Sequence, residues 1–535
     1  MRTTGGTDDR FSSSVMFRSG AACLTDDKRR WSVPPYLAAL LLPLALAFSP
    51  ALSAANLAAR IDKLLNGSPA ANAAFWGIEI RDLKSGQVVY SKNQDKLFVP
   101  ASNTKLFTIA LALNRLGPDY TFETRVVAQA LADPDGRIAG DLRLVGGGDP
   151  DLSARTVPYT PGPVTGNPLA AIEDLADQIV ARGIRRVSGG IVGDDTRYVW
   201  EPYVENWSIG DPQFEYGAPV SALTVNDNAF LLRVQPGAEV GAPATLELNP
   251  PLEYYTIDNR VQTIAPGGER RVRFERLAGS FHIDLRGALP VASPPDDLEL
   301  GIEDPALYAA LAFRKALEER GVTVDGEARA EHRYPTRSGP IGNGPPVAPA
   351  LPVSAVELAR HTSPALAEDL KITAKVSQNL HAEMALRAVG LARRGEGSRE
   401  AGLEELKDFL ASVGISPEGY SLSDGSGLSR SNLVTPATVV RLLRYMNDSP
   451  WRDAWRDLLP LAGEDGTLMS RFIDGPAKSR IHAKTGSLAH VNALSGYAQR
   501  RSGQWLVFSI IVNNAGAPAS QVRSIMDRIC TLIVE

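Results

Sequence analysis

The sequence is poor in the residues that cross-link proteins or hold metal ions. Its 535 residues include two cysteines, Cys23 and Cys530, and six histidines. Two cysteines near opposite ends of a chain form no disulfide framework, so packed hydrophobic cores must stabilise the fold. No spacing of the His-Glu-x-x-His kind is present, and we therefore expect neither a metal site nor a cofactor. The histidines are His282, His332, His361, His381, His482 and His490.

The chain also lacks an excess of positive charge. It has 56 Lys and Arg residues against 61 Asp and Glu residues, which gives a net charge of −5. Nucleic acid is therefore excluded as an expected partner, because its binding requires a basic surface. The Gly-x-Ser-x-Gly elbow of an α/β-hydrolase is missing as well. Gly146-Gly147-Gly148-Asp149 lacks the Lys-Ser/Thr of a phosphate loop, which predicts a turn.

The first 55 residues have the composition of an export signal. Lys28-Arg29-Arg30 precede an apolar run over 36–48, and small residues follow over 51–55. This order predicts cleavage near 53–55 and a periplasmic protein that has lost Cys23. The alternative, a retained membrane anchor, is disfavoured because the apolar run is short and contains Pro43.

Three short motifs occur in an order that suggests serine acyl-transfer chemistry. Ser102-Asn103-Thr104-Lys105 comes first, Ser377-Gln378-Asn379 second and Lys484-Thr485-Gly486 third. A serine and a lysine three residues apart lie on one face of a helix, where the amine can take the hydroxyl proton. The second motif supplies another hydroxyl and an amide, and the third supplies positive charge for a substrate carboxylate. Ser423-Asp424-Gly425 is an alternative for the second motif.

The order of these motifs resembles the S-x-x-K, S-x-N and K-T-G signature of the penicillin-recognising serine enzymes. Within that group the chain resembles the D-alanyl-D-alanine carboxypeptidase/endopeptidase family of the penicillin-binding protein 4 type, peptidase family S13. The resemblance extends over about residues 56–535. It is strongest in four stretches: Pro100-Ala101-Ser102-Asn103-Thr104-Lys105, Asp424-Gly425-Ser426-Gly427-Leu428-Ser429-Arg430, Leu459-Pro460-Leu461-Ala462-Gly463 and Ala483-Lys484-Thr485-Gly486-Ser487-Leu488.

The resemblance implies a role for each residue of the first two motifs. Ser102 would be the nucleophile that forms an acyl-enzyme, and Lys105 the general base. Ser377 would relay a proton to the leaving amine, while Asn379 would hydrogen-bond the substrate backbone or hold Lys105. We expect the positive charge of Lys484 and partial burial to lower the pKa of Lys105.

The third motif would bind the end of the substrate. Lys484 and Thr485 would bind the terminal carboxylate of D-Ala-D-Ala, or the equivalent carboxylate of a β-lactam. Gly486 would keep the strand edge open for the substrate backbone. The backbone amides of Ser102 and Ser487 would form the oxyanion hole.

The implied function is that of a serine D-Ala-D-Ala carboxypeptidase that also acts as a DD-endopeptidase. Its partners would be peptidoglycan stem peptides and β-lactam antibiotics, with at most peripheral membrane association, and both a monomer and a dimer are compatible with the sequence. A β-lactamase is the alternative enzyme, but it requires a dedicated water activator that the sequence does not locate. A non-catalytic peptidoglycan-binding scaffold is disfavoured because Ser102, Lys105 and Lys484 are all intact.

The implied fold is the mixed α/β (α+β) fold of penicillin-recognising serine transpeptidases and β-lactamases. It has an antiparallel sheet flanked by helices, here with a large β-rich insertion between the first two motifs. We predict a catalytic domain formed by 56–125 and 350–535. The inserted domain is predicted at 126–184 and 291–349, with a nested domain at 185–290.

Local patterns predict the elements that carry the motifs. A hairpin is expected over Trp76–Arg81 and Gln87–Ser91, and an amphipathic helix from Pro100 to Gly117. Val353–Ser412 reads as mostly helical, with the second motif at a helix start or on a short inter-helix turn. The remaining expected elements are strands from Lys484, over Ala493–Gln499 and over Gln504–Asn513, and a helix over about Ser520–Ile533 that buries Cys530.

Overall fold

The computed structural model of the chain describes residues 50–335 and 355–535. Residues 54–535 group into one compact unit. The export signal predicted over 1–55 lies outside the described residues, apart from the start of the helix Pro50–Asn66. Among the described helices, none is both long enough and apolar enough to cross a membrane.

A five-stranded antiparallel sheet, the central sheet, carries the third motif on an edge strand. Its strands lie in the order Ile481–Leu488, Val491–Gln499, Trp505–Asn513, Phe75–Asp82 and Val88–Lys92. The predicted hairpin and the predicted C-terminal strands are therefore confirmed. The outer side of Ile481–Leu488 is hydrogen-bonded to Pro460 and Ala462 at its start. From Thr485 onward it makes no such backbone pairing with the described residues, so an extended ligand can pair there.

The central sheet is covered by helices on both faces. Along its middle strand, Val507 and Ile511 face one core while Phe508 and Ile510 face the other, and such a doubly buried strand is mostly apolar. The first core contains the helices Lys105–Arg115, Leu366–Lys371, Asn379–Arg394, Arg399–Ser412, Pro436–Asp448 and Arg452–Leu458. The second contains Pro50–Asn66, Pro69–Asn72 and Ala519–Val534, and buries Cys530 as predicted.

The region between the first two motifs is rich in strands, as predicted. A five-stranded sheet, the inserted sheet, has the order Ala328–Arg333, Ile191–Val199, Leu142–Val145, Glu123–Ala128 and Val356–Thr362. Two helices, Ala170–Ala181 and Pro305–Glu319, contribute to the core beside it.

The smaller sheets are Thr256–Ile264 with His282–Pro290 and Arg271–Glu275; Asp296–Gly301 with Ala229–Gln235 and Thr245–Asn249; Thr323–Val324 with Arg186–Val187 and Arg137–Ile138; and, after the second motif, Tyr420–Ser421 with Leu433–Val434.

The prediction that Val353–Ser412 is mostly helical is wrong at its start. Val356–Thr362 forms an edge strand that pairs antiparallel with Glu123–Ala128. The strand exists because that partner, far away in sequence, offers its free hydrogen-bonding edge, and such a long-range pairing overrides local propensity. The rest of the segment is helical as predicted.

The division of the chain into domains remains a prediction, and the strand pairings favour a change in it. Ile191–Val199 pairs with Leu142–Val145 and with Ala328–Arg333 in the inserted sheet. This favours a nested unit that begins after Val199 rather than at 185. Glu123–Ala128 and Val356–Thr362 lie in the same sheet, which favours an inserted domain that begins before 126 and ends after 349.

Candidate active site

Ser102 lies in a short 3₁₀ turn, Ala101–Thr104, that leads directly into the helix Lys105–Arg115. Ala101 has a φ of +48°, a left-handed conformation that is unfavourable for alanine. Close packing holds Ala101 in this conformation: a Cβ atom added to Gly427 would lie 2.0 Å from the Ala101 carbonyl oxygen. Asn103 also anchors the turn by donating to Ser495 Oγ at 2.7 Å.

The amine of Lys105 is held against Ser102. Its Nζ lies 3.1 Å from Ser102 Oγ, and it donates to Asn379 Oδ1 and to the carbonyl oxygen of Ser426, both at 2.6 Å. The Lys105 side chain is fully buried. The structure therefore brings the predicted serine and lysine together, and of the two alternatives for Asn379 it contains the contact with Lys105.

Burial lowers the pKa of Lys105 from its ordinary value of 10.5 to about 7. The carboxylates of Asp424 and Glu383 act in the opposite direction. Our expectation needs correction here, because burial is complete rather than partial and is the largest cause. The repulsion between the two lysine amines affects Lys484 instead. Burial, together with the positive charge of Lys105, holds the pKa of Lys484 well below its usual range. A large fraction of Lys105 is therefore neutral near pH 7.

Ser377 occupies a turn between the π-helical segment Ile372–Val376 and the helix Asn379–Arg394. The prediction of an inter-helix turn for the second motif is confirmed. Ser377 has a φ of +71°, which is uncommon for serine. Its hydroxyl accepts a hydrogen bond from Lys484 Nζ at 2.8 Å. The second and third motifs therefore meet through this pair.

The two residues after Ser377 tie the turn to the insertion. Asn379 donates through Nδ2 to the carbonyl oxygen of Tyr216 at 2.8 Å, so both ends of its amide are in use. Gln378 donates to Asp227 Oδ2 at 3.2 Å and accepts from the N–H of Leu380 at 3.0 Å. The orientation of the Asn379 amide is thus fixed from both sides.

The residues of the third motif lie on the edge strand Ile481–Leu488. Thr485 Oγ1 donates to Thr467 Oγ1 at 2.8 Å. Gly486 sits where a Cβ atom would lie 2.7 Å from the Pro100 carbonyl oxygen, so a side chain here would push the strand away from the nucleophile turn. Ser487 is exposed and lines a cavity of about 390 Å³ together with Ser102 and Asn379.

The alternative serine, Ser423, has backbone contacts of a different kind. Its N–H donates to Asn432 Oδ1 at 2.7 Å, and its carbonyl oxygen accepts from Arg399 at 3.1 Å. Among the hydrogen bonds of the described residues, the Ser377 hydroxyl contacts a motif lysine and the Ser423 hydroxyl does not. The geometry therefore favours Ser377.

Sequence reasoning missed two buried carboxylates behind the first-motif lysine. Asp424 accepts hydrogen bonds from the N–H groups of Gly427 and Ser429, both at 2.7 Å. Glu383 accepts from the N–H of Ser426 at 2.9 Å, in the loop whose carbonyl contacts the lysine. Glu383 lies four residues after Asn379 on one helix, a spacing that places both on the same face and that could have identified it.

The comparisons with known proteins agree with this geometry. The sequence profile described as the D-Ala-D-Ala carboxypeptidase 3 (S13) family matches residues 57–532. A D-alanyl-D-alanine carboxypeptidase of Actinomadura sp. (strain R39) is 37% identical over 497 residues, which are 90% of this chain and 86% of that protein.

Two solved structures have the same fold. The crystal structure of penicillin binding protein 4 from Haemophilus influenzae matches with a TM-score of 0.73 at 22% identity, over 88% of this chain and 98% of that one. Its complex with a β-lactam matches with a TM-score of 0.67 over the same shares. The predicted penicillin-recognising fold is confirmed, and the chain belongs to the D-Ala-D-Ala carboxypeptidase 3 (S13) family.

Proposed function

We propose that this chain is a serine D-Ala-D-Ala carboxypeptidase that hydrolyses peptidoglycan stem peptides through an acyl-enzyme and is acylated by β-lactams. One observation carries the proposal: a buried amine with a pKa of about 7, on Lys105, lies 3.1 Å from the Ser102 hydroxyl. The carboxypeptidase activity of the Actinomadura relative and the β-lactam complex of the Haemophilus protein support it.

Acylation begins when Ser102 Oγ attacks the carbonyl carbon of the penultimate D-alanine. A neutral lysine amine has two N–H groups and one lone pair. The N–H groups of Lys105 are directed to Asn379 Oδ1 and to the Ser426 carbonyl oxygen, which leaves the lone pair for the Ser102 proton. The contacts around Lys105 therefore orient it as a general base.

The third motif supplies a positive charge that binds the terminal carboxylate of the substrate. The terminal carboxylate binds Lys484 and Thr485, and a carboxylate beside Lys484 raises the pKa of that amine and favours its charged form. The carbonyl oxygen of the scissile bond accepts hydrogen bonds from the backbone amides of Ser102 and Ser487, which stabilise the negative charge that develops on it.

The C–N bond breaks when the leaving amine receives a proton. Ser377 gives its hydroxyl proton to that amine and takes one from Lys484, whose Nζ already donates to Ser377 Oγ at 2.8 Å. Exchange with solvent then removes the Ser102 proton from Lys105 and restores the proton of Lys484. A water molecule attacks the ester on Ser102 while neutral Lys105 takes its proton, and Lys105 gives that proton to Ser102 Oγ as the C–O bond breaks and the shortened peptide leaves.

The space beyond Ser377 favours endopeptidase activity as well. A cavity of about 460 Å³ lies on this side, between the second motif and insertion residues that include Arg155, Tyr159 and Glu215. The leaving amine is on the Ser377 side, so the second stem peptide of a cross-link would occupy this cavity. The same cavity admits a single D-alanine, and both substrates would therefore be cleaved.

The place of action that fits these substrates is the periplasm. The proposal rests on the signal-like composition of residues 28–55 and on the location of peptidoglycan outside the inner membrane.

The acylation rate should depend on pH through Lys105. The base acts in its neutral form, so the rate constant for acylation by benzylpenicillin should rise with pH through about 7 and level off above it. An ordinary lysine would give a rise that continues beyond about pH 9. Stopped-flow acylation from about pH 5 to about pH 9 distinguishes the two, and a profile that is flat over this range would contradict the assignment.

Ser377→Ala and Ser423→Ala should differ sharply. Loss of the Ser377 hydroxyl removes the proton donor to the leaving group and should slow acylation by about 100-fold or more. Ser423→Ala should stay within about twofold of the unchanged protein, because its hydroxyl contacts no motif residue among the described hydrogen bonds. Acylation rates of both variants decide the assignment, and the reverse pattern would transfer the role to Ser423.

The function itself is tested by incubating the mature chain with a peptide ending in D-Ala-D-Ala and, separately, with benzylpenicillin. We expect release of D-alanine from the peptide and a stable covalent adduct with the drug, seen in the intact mass. A matched peptide ending in D-Ala-L-Ala should not release its terminal L-alanine. Rapid loss of the drug without an adduct would indicate a β-lactamase. Intact drug and intact peptide would indicate a non-catalytic scaffold.

A further inference from the structure

A buried cluster of ligand atoms lies behind the Ser377 turn. Asp151 follows the glycine-rich turn after the strand Leu142–Val145, Asp369 lies on the helix Leu366–Lys371, and His381 lies on the helix Asn379–Arg394. One carboxylate oxygen of each aspartate and one ring nitrogen of His381 lie within 4.8 Å of one another. The insertion and the two helices that flank the Ser377 turn are thus joined at one point.

Within this cluster, the carboxylate of Asp151 lacks hydrogen-bond partners among the described residues. Both of its carboxylate oxygens are buried and accept no hydrogen bond from any residue in 50–335 or 355–535. Asp149 Oδ2 is buried and without a hydrogen bond in the same range, with His361 Nε2 at 3.6 Å. Buried carboxylates are ordinarily paired or bound to a metal ion, because an unpaired buried charge is strongly unfavourable.

The surroundings of His381 fit a metal ligand with an outer partner. Its Nε2 lies 3.1 Å from Asp227 Oδ1, and its Nδ1 lies 2.5 Å from Asp369 Oδ1. Asp227 is itself held by Arg155 and by Gln378. Metal-bound imidazoles commonly donate their second ring N–H to a carboxylate, and Asp227 has that position here. Nδ1 faces the cluster, where it is hydrogen-bonded to Asp369, and a bound ion would replace that hydrogen bond.

We propose that Asp151, Asp369 and His381 bind one divalent transition-metal ion of the Zn²⁺ type. The ion takes one oxygen from each aspartate and Nδ1 of His381, whose Nδ1 proton is released to solvent, while Nε2–H continues to donate to Asp227. Two carboxylates balance the charge of the ion. An imidazole among the ligands favours Zn²⁺ over Ca²⁺, Mg²⁺ and Mn²⁺, which are better suited to oxygen ligands.

The location gives the ion a structural task. Asp369 precedes and His381 follows the turn that presents Ser377 and Asn379, and Asp151 belongs to the insertion. A bound ion would fasten the insertion to both helices that flank this turn. The ion would thus hold the turn, which has a left-handed residue at Ser377, in one conformation.

The test uses the full mature chain, freed of metal by a chelator and then titrated with Zn²⁺. We expect about one tightly held equivalent by elemental mass spectrometry and a rise in melting temperature on addition of Zn²⁺. Asp151→Asn should lower the affinity by about 100-fold or more and abolish that rise. Co²⁺ offers a second readout, since a site with an imidazole ligand should give visible absorption in the unchanged protein and not in the variant.

The matched control is Asp284→Asn. Asp284 belongs to an exposed cluster with Asp258 and His282 whose ligand atoms are equally close together. The Asp284→Asn variant should still hold about one Zn²⁺ ion as tightly as the unchanged protein. In chelator, Asp151→Asn should melt close to the unchanged protein, because the amide keeps the shape of a carboxyl group that accepts no hydrogen bond from the described residues, so loss of binding cannot be attributed to unfolding. The proposal is overturned if no Zn²⁺ is retained, or if Asp151→Asn retains it as tightly as the unchanged protein.

Discussion

Replacing Ser102 with alanine is expected to abolish the covalent adduct with benzylpenicillin and to lower D-alanine release by about 10⁵-fold. Removal of a nucleophile eliminates the acyl-enzyme rather than slowing its formation, and the remaining groups can only bind and polarise the substrate. The measurement is intact mass after incubation with the drug, alongside the rate of D-alanine release. The folded state should be unaffected, because among the described residues the serine hydroxyl has one hydrogen bond, with Lys105.

The control for this variant is Ser502→Ala, in the exposed turn between the strands Val491–Gln499 and Trp505–Asn513. It should be acylated at the unchanged rate. Non-covalent binding of the drug to Ser102→Ala should persist, since Lys484 and Thr485 remain in place. If Ser102→Ala still gained the mass of the drug, another residue would be the nucleophile.

The elements that carry the motifs could be predicted because their signals are local. Pro100, Leu106, Ile109 and Leu113 mark the start and the buried face of the nucleophile helix. The hairpin of the central sheet is marked by alternating apolar and polar residues around a turn. Ser102 and Lys105 are close in space simply because they are close in sequence. The resemblance assigned Ser377 and Lys484 separate roles toward the substrate, and the hydrogen bond between them is seen only in the structure.

The remaining features depend on contacts between distant segments. Val356–Thr362 is a strand only because Glu123–Ala128 offers it an edge, and no local pattern distinguishes it from the helices that follow. The same holds for the pKa of Lys105, whose main cause is complete burial under loops from other parts of the chain. Histidine spacing likewise gave no sign of the cluster around His381, because its other members come from two separate segments.

Lys105→Met should reduce the acylation rate by about 10³-fold. Methionine has nearly the length and volume of lysine, so the packing against the first core is kept while the amine is lost. The variant leaves the buried Ser426 carbonyl oxygen without its donor, at a cost of about 1–3 kcal/mol, and it also removes the donor to Asn379 Oδ1, which is only partly buried. The burial of an amine is removed at the same time, which offsets part of that cost, and thermal unfolding measures the net change.

A pH profile separates loss of the base from mere disturbance of the site. If Lys105 is the base, the residual acylation of Lys105→Met should no longer rise with pH through about 7, because the titrating group is gone. A disturbed site with its base intact would keep the rise at a lower rate. The matched control is Lys407→Met on the exposed face of the helix Arg399–Ser412, which should retain both rate and profile. Acylation of Lys105→Met within about tenfold of the unchanged rate would assign the proton transfer to another group, and Lys484, the second buried amine in contact with a motif serine, would be the next candidate.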